Sequence, residues 1–224
     1  MSLSHNPRIV TSGLVMLLDA ANPKSYPGTG TTWSDLSGNG NNGTLTNGPT
    51  YSSANNGSIV FDGVNDTMSS TYNKVGGNDT TLEVWFNWGG VTGTFTMIYL
   101  GNGANSGYGF FVHDGSGPGS GNKVGVLYGG SFYNALNIGT TYATLQSGVW
   151  TNLVITRDSN TTILYQNAAL LGSTTRIPNG NTGSLAYYAA PPGGNISVQK
   201  VYNRALSAAE VQQNFNATRS RYGV

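Results

Sequence analysis

The clearest strand signal in the chain is the segment Thr81-Leu82-Glu83-Val84-Trp85-Phe86-Asn87-Trp88. Its large apolar side chains at 82, 84, 86 and 88 recur at every second position, which is the period of a β-strand. Thr81, Glu83 and Asn87 occupy the alternate positions. Trp85 interrupts this alternation with an apolar residue, so we expect both faces of the strand to be covered.

Similar short apolar stretches recur on either side of this strand, separated by clusters of Gly, Asn, Ser and Pro. In the stretch 150–157, Leu153 and Ile155 point one way while Asn152, Val154 and Thr156 point the other, as in a half-buried strand. Such spacing is typical of an antiparallel β-sandwich. The other predicted strands are 14–19, 58–62, 67–72, 95–101, 108–114, 123–129, 132–138, 161–167 and 196–203.

A single helix is predicted, at residues 208–219. Ser207 followed three residues later by Glu210 forms a capping box, and Val211 and Phe215 begin an apolar stripe. Two long irregular loops are expected at 25–58 and 173–194, folding over the sandwich or facing a partner. The prediction is therefore an all-β, antiparallel two-sheet jelly-roll sandwich with one short C-terminal helix, forming a single domain over residues 1–224.

The composition agrees with this fold and excludes several functional classes. Gly, Asn, Thr and Ser account for 106 of the 224 residues, a mixture that disfavours helix. Only 8% of the residues are charged and the net charge is +1, so we expect neither nucleic acid nor a membrane surface as partner. Without cysteine there is no disulfide or thiolate metal site. Residues 1–7 lack the features of a signal peptide, so we expect the chain either to be made and kept in the cytoplasm or to leave the cell without the secretory route.

Seven sequence blocks form a recognisable combination: residues 13–23, 33–40, 43–45, 60–66, 150–154, 164–167 and 201–207. Together these blocks resemble laminin-G-like and concanavalin-A-like jelly rolls, the kind found in bacterial surface proteins and in virion proteins of tailed phages. In this family a glycine usually follows the asparagine at the Asn167 position, whereas this chain has Ala168. A two-residue type I′ turn is therefore not expected there, because alanine is strained at positive φ.

Two of these blocks also have explanations from their own residues. Asp35, Ser37 and Asn39 can bond nearby backbone amides while Gly38 and Gly40 adopt positive φ, which predicts a rigid turn, with a ligand loop as the alternative. A second prediction concerns Arg204, just before the helix. We expect its guanidinium to hold loop carbonyls in place as a structural clamp.

The carboxylates argue against an enzyme. The resemblance implies that a glycosidase of this fold would carry clustered carboxylates on one strand, and glycoside cleavage needs two of them across the scissile bond. The chain has two glutamates, of which Glu83 lacks a carboxylate neighbour on its face and Glu210 serves as a helix cap. His5 and His113, which is followed by Asp114, have no nucleophile motif nearby and are predicted to be surface residues.

Calcium is the metal that the resemblance implies, because related jelly rolls bind it through Asp and Asn side chains and loop carbonyls. Asp62 and Asp66, four residues apart around Gly63, are the candidate ligands. The alternative is an Asx turn in which the carboxylates bond their own backbone.

Aromatic residues near polar loops provide the candidate carbohydrate site, since sugar rings stack on aromatic rings while amides and carboxylates bond the hydroxyls. The candidates are Trp33, Tyr108, Tyr133 and Tyr142, with burial in the sheets as the alternative. An apolar segment containing Tyr187, Tyr188, Pro191 and Pro192 is a candidate oligomer contact, with burial in the loop core as the alternative.

These features lead to one functional prediction and two rivals. We predict a virion structural protein of a tailed phage, either a capsid decoration or a fibre-associated protein, assembled in the host cytoplasm. Its expected partners are further copies of itself, as a trimer, a major capsid or tail protein, and glycans of the host surface. The first rival is a free carbohydrate-binding lectin, with calcium as a possible requirement. The second is a glycan hydrolase with an unrecognised site.

Overall fold

The computed structural model describes residues 7–75, 79–91, 95–101, 107–113, 122–128, 135–136, 142–159, 161–175, 184–189, 191 and 193–224. Its strands are β1 (Leu14–Asp19), β2 (Thr32–Trp33), β3 (Gly43–Thr46), β4 (Thr50–Ser52), β5 (Ser58–Phe61), β6 (Thr67–Val75), β7 (Thr80–Trp88), β8 (Phe95–Gly101), β9 (Gly107–His113), β10 (Lys123–Tyr128), β11 (Ala135–Leu136), β12 (Ala143–Thr144), β13 (Trp150–Arg157), β14 (Thr162–Gln166), β15 (Ala169–Thr174), β16 (Ser184–Ala189) and β17 (Gly194–Tyr202). One helix, α1 (Ala208–Thr218), follows β17, and short 3-10 turns cover Ala54–Asn56 and Arg219–Tyr222.

The strands form two antiparallel sheets. The first sheet has the order β15-β14-β13-β7-β17-β5-β4, with β1 also paired to β17. The second has the order β11-β10-β9-β8-β16-β6-β3-β2, with β12 also paired to β10. Strands adjacent in a sheet are often distant in sequence, as β7 is from its neighbours β13 and β17. The all-β antiparallel sandwich with a C-terminal helix is thus confirmed.

The main core lies between the two sheets. On β7 it takes Leu82, Val84, Phe86 and Trp88, the residues whose alternation predicted this strand. Trp85 points to the opposite face and packs in a second cluster with Phe215 of α1, so both faces of β7 are covered as expected. The same holds for β13, which is buried on both faces rather than half-buried. The helix is what converts this sheet from one-sided to two-sided burial.

Two predicted loops contain strands. The region 25–58 contributes β2, β3 and β4, and the region 173–194 contains β16, which lies between β8 and β6. Strands β2, β3 and β4 were missed because they are only two to four residues long and consist mainly of Thr, Ser and Gly. Strand β16 was missed because its apolar residues follow one another without a period of two. Within the predicted strand 132–138, the structure describes only 135–136, as β11.

The hairpin between β14 and β15 corrects another expectation. Gln166 pairs with Ala169, so Asn167 and Ala168 form a two-residue turn, with φ angles of 51° and 62°. Positive φ at both positions is the geometry of a type I′ turn. The pairing of the two strands therefore outweighs the strain at Ala168, and the expectation that alanine would prevent this turn was wrong.

Candidate functional site

The outer face of the first sheet is closed by α1 and the 3-10 turn after it. The indole of Trp85 stacks on the rings of Phe215 and Tyr222, with centroid separations of 5.6 and 4.1 Å. Its Nε1 donates a hydrogen bond to Oγ1 of Thr218 at 2.9 Å. Because these rings cover the centre of the sheet, this face offers no open surface to a ligand at that point.

Glu83 lies beneath the same helix and is fully buried. Its Oε1 accepts a hydrogen bond from Nζ of Lys200 at 2.7 Å, and its Oε2 accepts one from Nδ2 of Asn214 at 2.8 Å. The side chains of Lys200 and Glu83 are 1% and 0% exposed. Glu83 is therefore held in a closed polar cluster, away from any substrate-accessible surface.

The outer face of the second sheet is different, and we call it the open face. Strand β6 supplies Ser69, Thr71 and Asn73 to it, all exposed and alternating with the core residues Met68 and Tyr72. In register beside Ser69 lies Thr44, and beside Thr44 lies Thr32, both exposed. This half of the open face therefore presents neutral hydroxyl and amide groups that can both donate and accept hydrogen bonds.

The other half of the open face is aromatic. Tyr99 alternates with the core residues Ile98 and Leu100, so its half-buried side chain points outward. Its ring lies over Gly101, where an added Cβ would come within 1.9 Å of Cε1. Only glycine leaves room for the ring to lie flat along the strand in this way. Burial raises the pKa of Tyr99, which keeps its hydroxyl protonated and able to donate.

Tyr142 provides a second ring on this face. Its neighbour Ala143 is buried in the core, and the Tyr142 ring lies 3.7 Å from the position where a Cβ on Gly125 would stand. Gly125 pairs with Phe111, which is 5% exposed. Gly125 lies on β10, two strands away from Tyr99 on β8, and two residues along the strand from the position opposite Tyr99. From the spacing of strands and residues, the backbone positions of Tyr99 and Gly125 are roughly 12 Å apart. Two rings at that separation span more than one sugar unit.

The open face carries little charge. Among its described side chains only Lys123 is charged, and its Nζ donates to Oγ1 of Thr144 at 2.8 Å. His113 pairs with Lys123 in the register, but its side chain lies outside the described part of the chain, as does all of His5. A neutral surface of aromatic rings and hydroxyl groups is chemically suited to a neutral polyhydroxylated ligand rather than to an anion.

Of the four aromatic residues predicted to stack on sugars, the structure places one on the open face. Tyr142 is partly exposed there. Trp33 and Tyr108 are each 0% exposed and belong to the core between the sheets, so the prediction that their rings meet a ligand was wrong. In both strands the side chains alternate between the two faces, and Trp33 and Tyr108 occupy inward positions. Their polar neighbours in the sequence had suggested exposure instead. Tyr133 lies outside the described residues.

The loop at Asp62 and Asp66 has the geometry of an Asx turn. Oδ1 of Asp62 accepts hydrogen bonds from the backbone N–H groups of Val64, Asn65 and Asp66 at 2.8, 3.2 and 3.3 Å. Oδ2 of Asp66 accepts one from the N–H of Asp62 at 2.9 Å. These bonds to Asp62 lower its pKa. Within the described residues, no cluster of three or more His, Cys, Asp or Glu side chains is present. The geometry favours the turn, and calcium at these carboxylates stays a prediction.

The candidate oligomer contact is buried where the structure describes it. Tyr187 is 1% exposed, lies on β16 and donates a hydrogen bond from its hydroxyl to Oε1 of Gln199. Pro191 is also buried. Of the two interpretations, burial within the chain therefore holds for these two residues and an exposed contact does not; for Tyr187 the reason is that β16 is an interior strand of the second sheet. The side chain of Tyr188 and all of Pro192 lie outside the described residues.

Two structural roles are confirmed. Asp35 accepts hydrogen bonds from the backbone of Leu17, Ser37 and Asn41 at 2.8 to 2.9 Å, so the segment 35–40 is a rigid turn tied to β1. Arg204 donates from Nε to the carbonyl of Ser12 at 3.0 Å and forms a bidentate pair with Glu210. Glu210 in turn completes the capping box with Ser207. These motifs stabilise the fold.

Sequence reasoning missed Tyr99 and the row of hydroxyl groups on the open face. Tyr99 lies within the predicted strand 95–101, next to Ile98 and Leu100, so the alternation of the strand indicated that its side chain points to the face opposite theirs. The sequence does not show which face of this strand is the outer one, because the strand pairing shifts between Thr96 and Ile98. As a result the consecutive residues Met97 and Ile98 both belong to the core. That bulge resets the alternation and conceals the outward position of Tyr99.

Comparisons with known proteins agree with this architecture. A family model described as the concanavalin A-like lectin/glucanases superfamily matches residues 61–212. No curated protein matches the sequence. Among solved structures, domain 4 of AbnA, a GH43 extracellular arabinanase from Geobacillus stearothermophilus in complex with arabinotriose, has a TM-score of 0.69 at 18% identity. That match covers 91% of this chain and 98% of the other.

A second solved structure, a Trypanosoma rangeli sialidase in complex with sialic acid, has a TM-score of 0.67 at 16% identity. The match covers 97% of this chain and 36% of the sialidase, so this chain corresponds to about a third of that enzyme. At these identities the likeness to both structures establishes a shared fold. Among the described helices, none is long and apolar enough to cross a lipid bilayer.

Proposed function

Because the chain belongs to the concanavalin A-like lectin/glucanases superfamily, we propose that it is a non-catalytic carbohydrate-binding module whose binding surface is the open face. The observation that carries this proposal is that two outward rings lie on the same face as a row of exposed hydroxyl groups: Tyr99 on β8, beside Gly101, and Tyr142, just before β12, near Gly125. Aromatic rings offer sugars an apolar stacking surface, and the neighbouring hydroxyl and amide groups fix their orientation.

The match to domain 4 of the arabinanase supports this proposal, because it extends over nearly the whole of both chains and that domain's structure is a complex with arabinotriose. Fold likeness alone does not transfer a ligand, so the argument depends on the open face itself. The roughly 12 Å between the two ring sites favours an oligosaccharide over a monosaccharide.

The absence of catalysis is part of the proposal. The two glutamates of the chain are Glu83, enclosed beneath α1, and Glu210, bound in the helix cap. Neither lies on the open face, where a glycosidase would need an acid and a second carboxylate. Incubation with the oligosaccharides that bind should therefore release no product. Detectable hydrolysis by the purified protein would refute this part.

The binding test compares Tyr99→Ala and Tyr142→Ala with the unmodified chain, first on a glycan array and then by calorimetry with the best ligand. We expect each substitution to weaken binding about tenfold, equivalent to about 1.4 kcal/mol. Leu170→Ala is the matched control, because Leu170 is 60% exposed on the edge strand β15 of the other sheet. Equal affinity for all four proteins, or no glycan signal, would reject the open face as the site.

The finer prediction concerns the biological setting. We propose that this module decorates the capsid or fibre of a tailed phage as a homo-oligomer, with a trimer expected, against a major capsid or tail protein. The support is the sequence resemblance together with a nearly neutral, cysteine-free composition. Cryo-electron microscopy of particles carrying the chain tests it. Ordered copies on a capsid or tail lattice would support this setting, and a free soluble monomer that binds glycans would favour the lectin alternative.

A further inference from the structure

Four polar side chains meet in a closed space between the first sheet and α1. Glu83 of β7 and Lys200 of β17 stand directly opposite each other in register. Asn152 comes from β13, on the other side of β7, and Asn214 from the helix. All four are at most 1% exposed. A primary amine, a carboxyl group and two carboxamides are thus enclosed together, away from bulk water.

One oxygen atom joins the amine to a carboxamide. Oε1 of Glu83 lies 2.7 Å from Nζ of Lys200 and 3.3 Å from Nδ2 of Asn152. The other oxygen, Oε2, is held by Nδ2 of Asn214 at 2.8 Å. Asn214 is itself fixed, because its Oδ1 accepts the backbone N–H of Val10 at 2.8 Å. The carboxyl group is therefore fixed on one side and faces both the amine and the Asn152 amide on the other.

The carbonyl of Asn152 is the unexplained feature of this cluster. Its Oδ1 is buried and has no hydrogen-bond partner in the described part of the chain. A buried carbonyl without a donor is costly and rare in folded proteins. The carboxamide carbon next to this oxygen is an electrophile, and the amine that shares Oε1 of Glu83 with this carboxamide is that of Lys200.

We propose that Lys200 and Asn152 become joined by an intramolecular isopeptide bond, with Glu83 transferring the protons. The ammonium of Lys200 first passes a proton to Glu83 along their hydrogen bond, since burial penalises two charges more than a neutral pair. The free electron pair of Nζ then attacks Cγ of Asn152. The Cγ–Nδ2 bond breaks while Glu83 donates its proton to the departing nitrogen and accepts one from Nζ.

The products of this step are one secondary amide and one molecule of ammonia, with no oxidant or cofactor consumed. Proximity drives the reaction, because the fold holds both groups against one carboxyl oxygen. Asn152 is the electrophile because it shares that oxygen with Lys200, whereas Asn214 contacts the far oxygen and already uses its carbonyl. The bond would link β17 to β13 across β7, and so cross-link the centre of the first sheet.

Intact mass spectrometry of the denatured full-length protein tests the proposal. We expect a mass about 17 Da below that of the sequence, the loss of one ammonia. A succinimide at an Asn-Gly pair, such as Asn47-Gly48, would lose the same mass, but hydroxylamine cleaves a succinimide and leaves an isopeptide bond intact. A mass equal to that of the sequence would overturn the proposal.

Peptide mapping then locates the bond. Trypsin does not cut after a lysine whose amine is acylated, so we expect residues 124–157 to be recovered joined to residues 177–204. A branch to residues 205–219 instead would identify Asn214 as the electrophile and overturn the assignment to Asn152. A mass loss confined to a peptide without Lys200 would overturn the proposal as a whole.

Two variants test the roles of the reacting groups. Lys200→Arg and Glu83→Gln should each show the full sequence mass, while Lys24→Arg, at an exposed lysine, should retain the loss. Near-ultraviolet circular dichroism checks that each variant is folded. Continued mass loss in folded Glu83→Gln would refute proton transfer by Glu83. The mass of the unmodified chain decides the main question even where a variant does not fold.

Discussion

The turn at Asp35 allows a quantitative test of how this glycine- and asparagine-rich chain is held in shape. The carboxylate of Asp35 accepts four hydrogen bonds from three residues: the N–H groups of Leu17, Ser37 and Asn41, and the hydroxyl of Ser37 at 2.7 Å. Asp35→Ala would leave all four donors without this partner. The first of them belongs to β1, so the change reaches the sheet as well as the loop.

The expected cost follows from the number of bonds and their partial burial. A hydrogen bond to a charged group contributes about 1.5 to 3 kcal/mol when buried, and less where water can replace the partner. At about 1 kcal/mol for each donor, and allowing for incomplete additivity, Asp35→Ala should lower the free energy of unfolding by about 3 kcal/mol. Asp35→Asn keeps the acceptor that serves Leu17 and should cost about half as much.

The control is Asp62→Ala, which removes three hydrogen bonds of similar geometry from an exposed loop. Water replaces those bonds readily, so we expect a clearly smaller loss of stability than for Asp35→Ala. Urea unfolding at neutral pH, followed by circular dichroism and extrapolated linearly to zero denaturant, measures all three variants. If Asp35→Ala and Asp62→Ala cost the same within error, the turn at Asp35 does not anchor β1 and the reasoning fails.

Three further predictions concern other parts of the molecule. Ala168→Gly should raise the free energy of unfolding by about 0.5 kcal/mol, because relief of strain at positive φ exceeds the added chain entropy; a loss of stability in urea unfolding would contradict this. The pair with Arg204 lowers the pKa of Glu210 from its ordinary 4.5 to about 2. The stability that this ion pair contributes is therefore complete above about pH 4.5 and is lost as the pH falls toward 2. Glu210→Gln should make the melting temperature less dependent on pH between 2 and 4.5, and a pH dependence equal to that of the unmodified chain would contradict this. Excess EDTA should leave the melting temperature unchanged if Asp62 and Asp66 form only an Asx turn, whereas a fall would support calcium.

Alternation along the sequence was sufficient to predict the central strands. Residues 81–88 and 150–157 became β7 and β13 with nearly the predicted bounds, because their apolar side chains recur with period two. The capping box at Ser207 likewise fixed the start of α1. Strands β2 and β3 were missed because they are only two and four residues long, too short to show a period. Strand β16 was missed because its apolar residues follow one another without alternation, and it is stabilised by pairing with β6 and β8, which are distant in sequence.

The candidate site depended far more on tertiary structure. The sequence named Tyr142 but also Trp33 and Tyr108, since a ring near polar residues can be either exposed or buried. Tyr99 could be placed on the open face only after the bulge in β8 and the opposing strands were known.

Local features could be derived from the residues alone: the strand period, the helix cap, the turn-forming Asp and Gly residues, and the presence of two glutamates. Which of the two outer faces is covered could be seen only once the packing of the helix was known. The helix packs on Trp85 and encloses Glu83, Lys200, Asn152 and Asn214, while the second sheet keeps its hydroxyl groups exposed. The physical reason is that side-chain periodicity separates two faces of a strand, but long-range packing alone determines what each face meets.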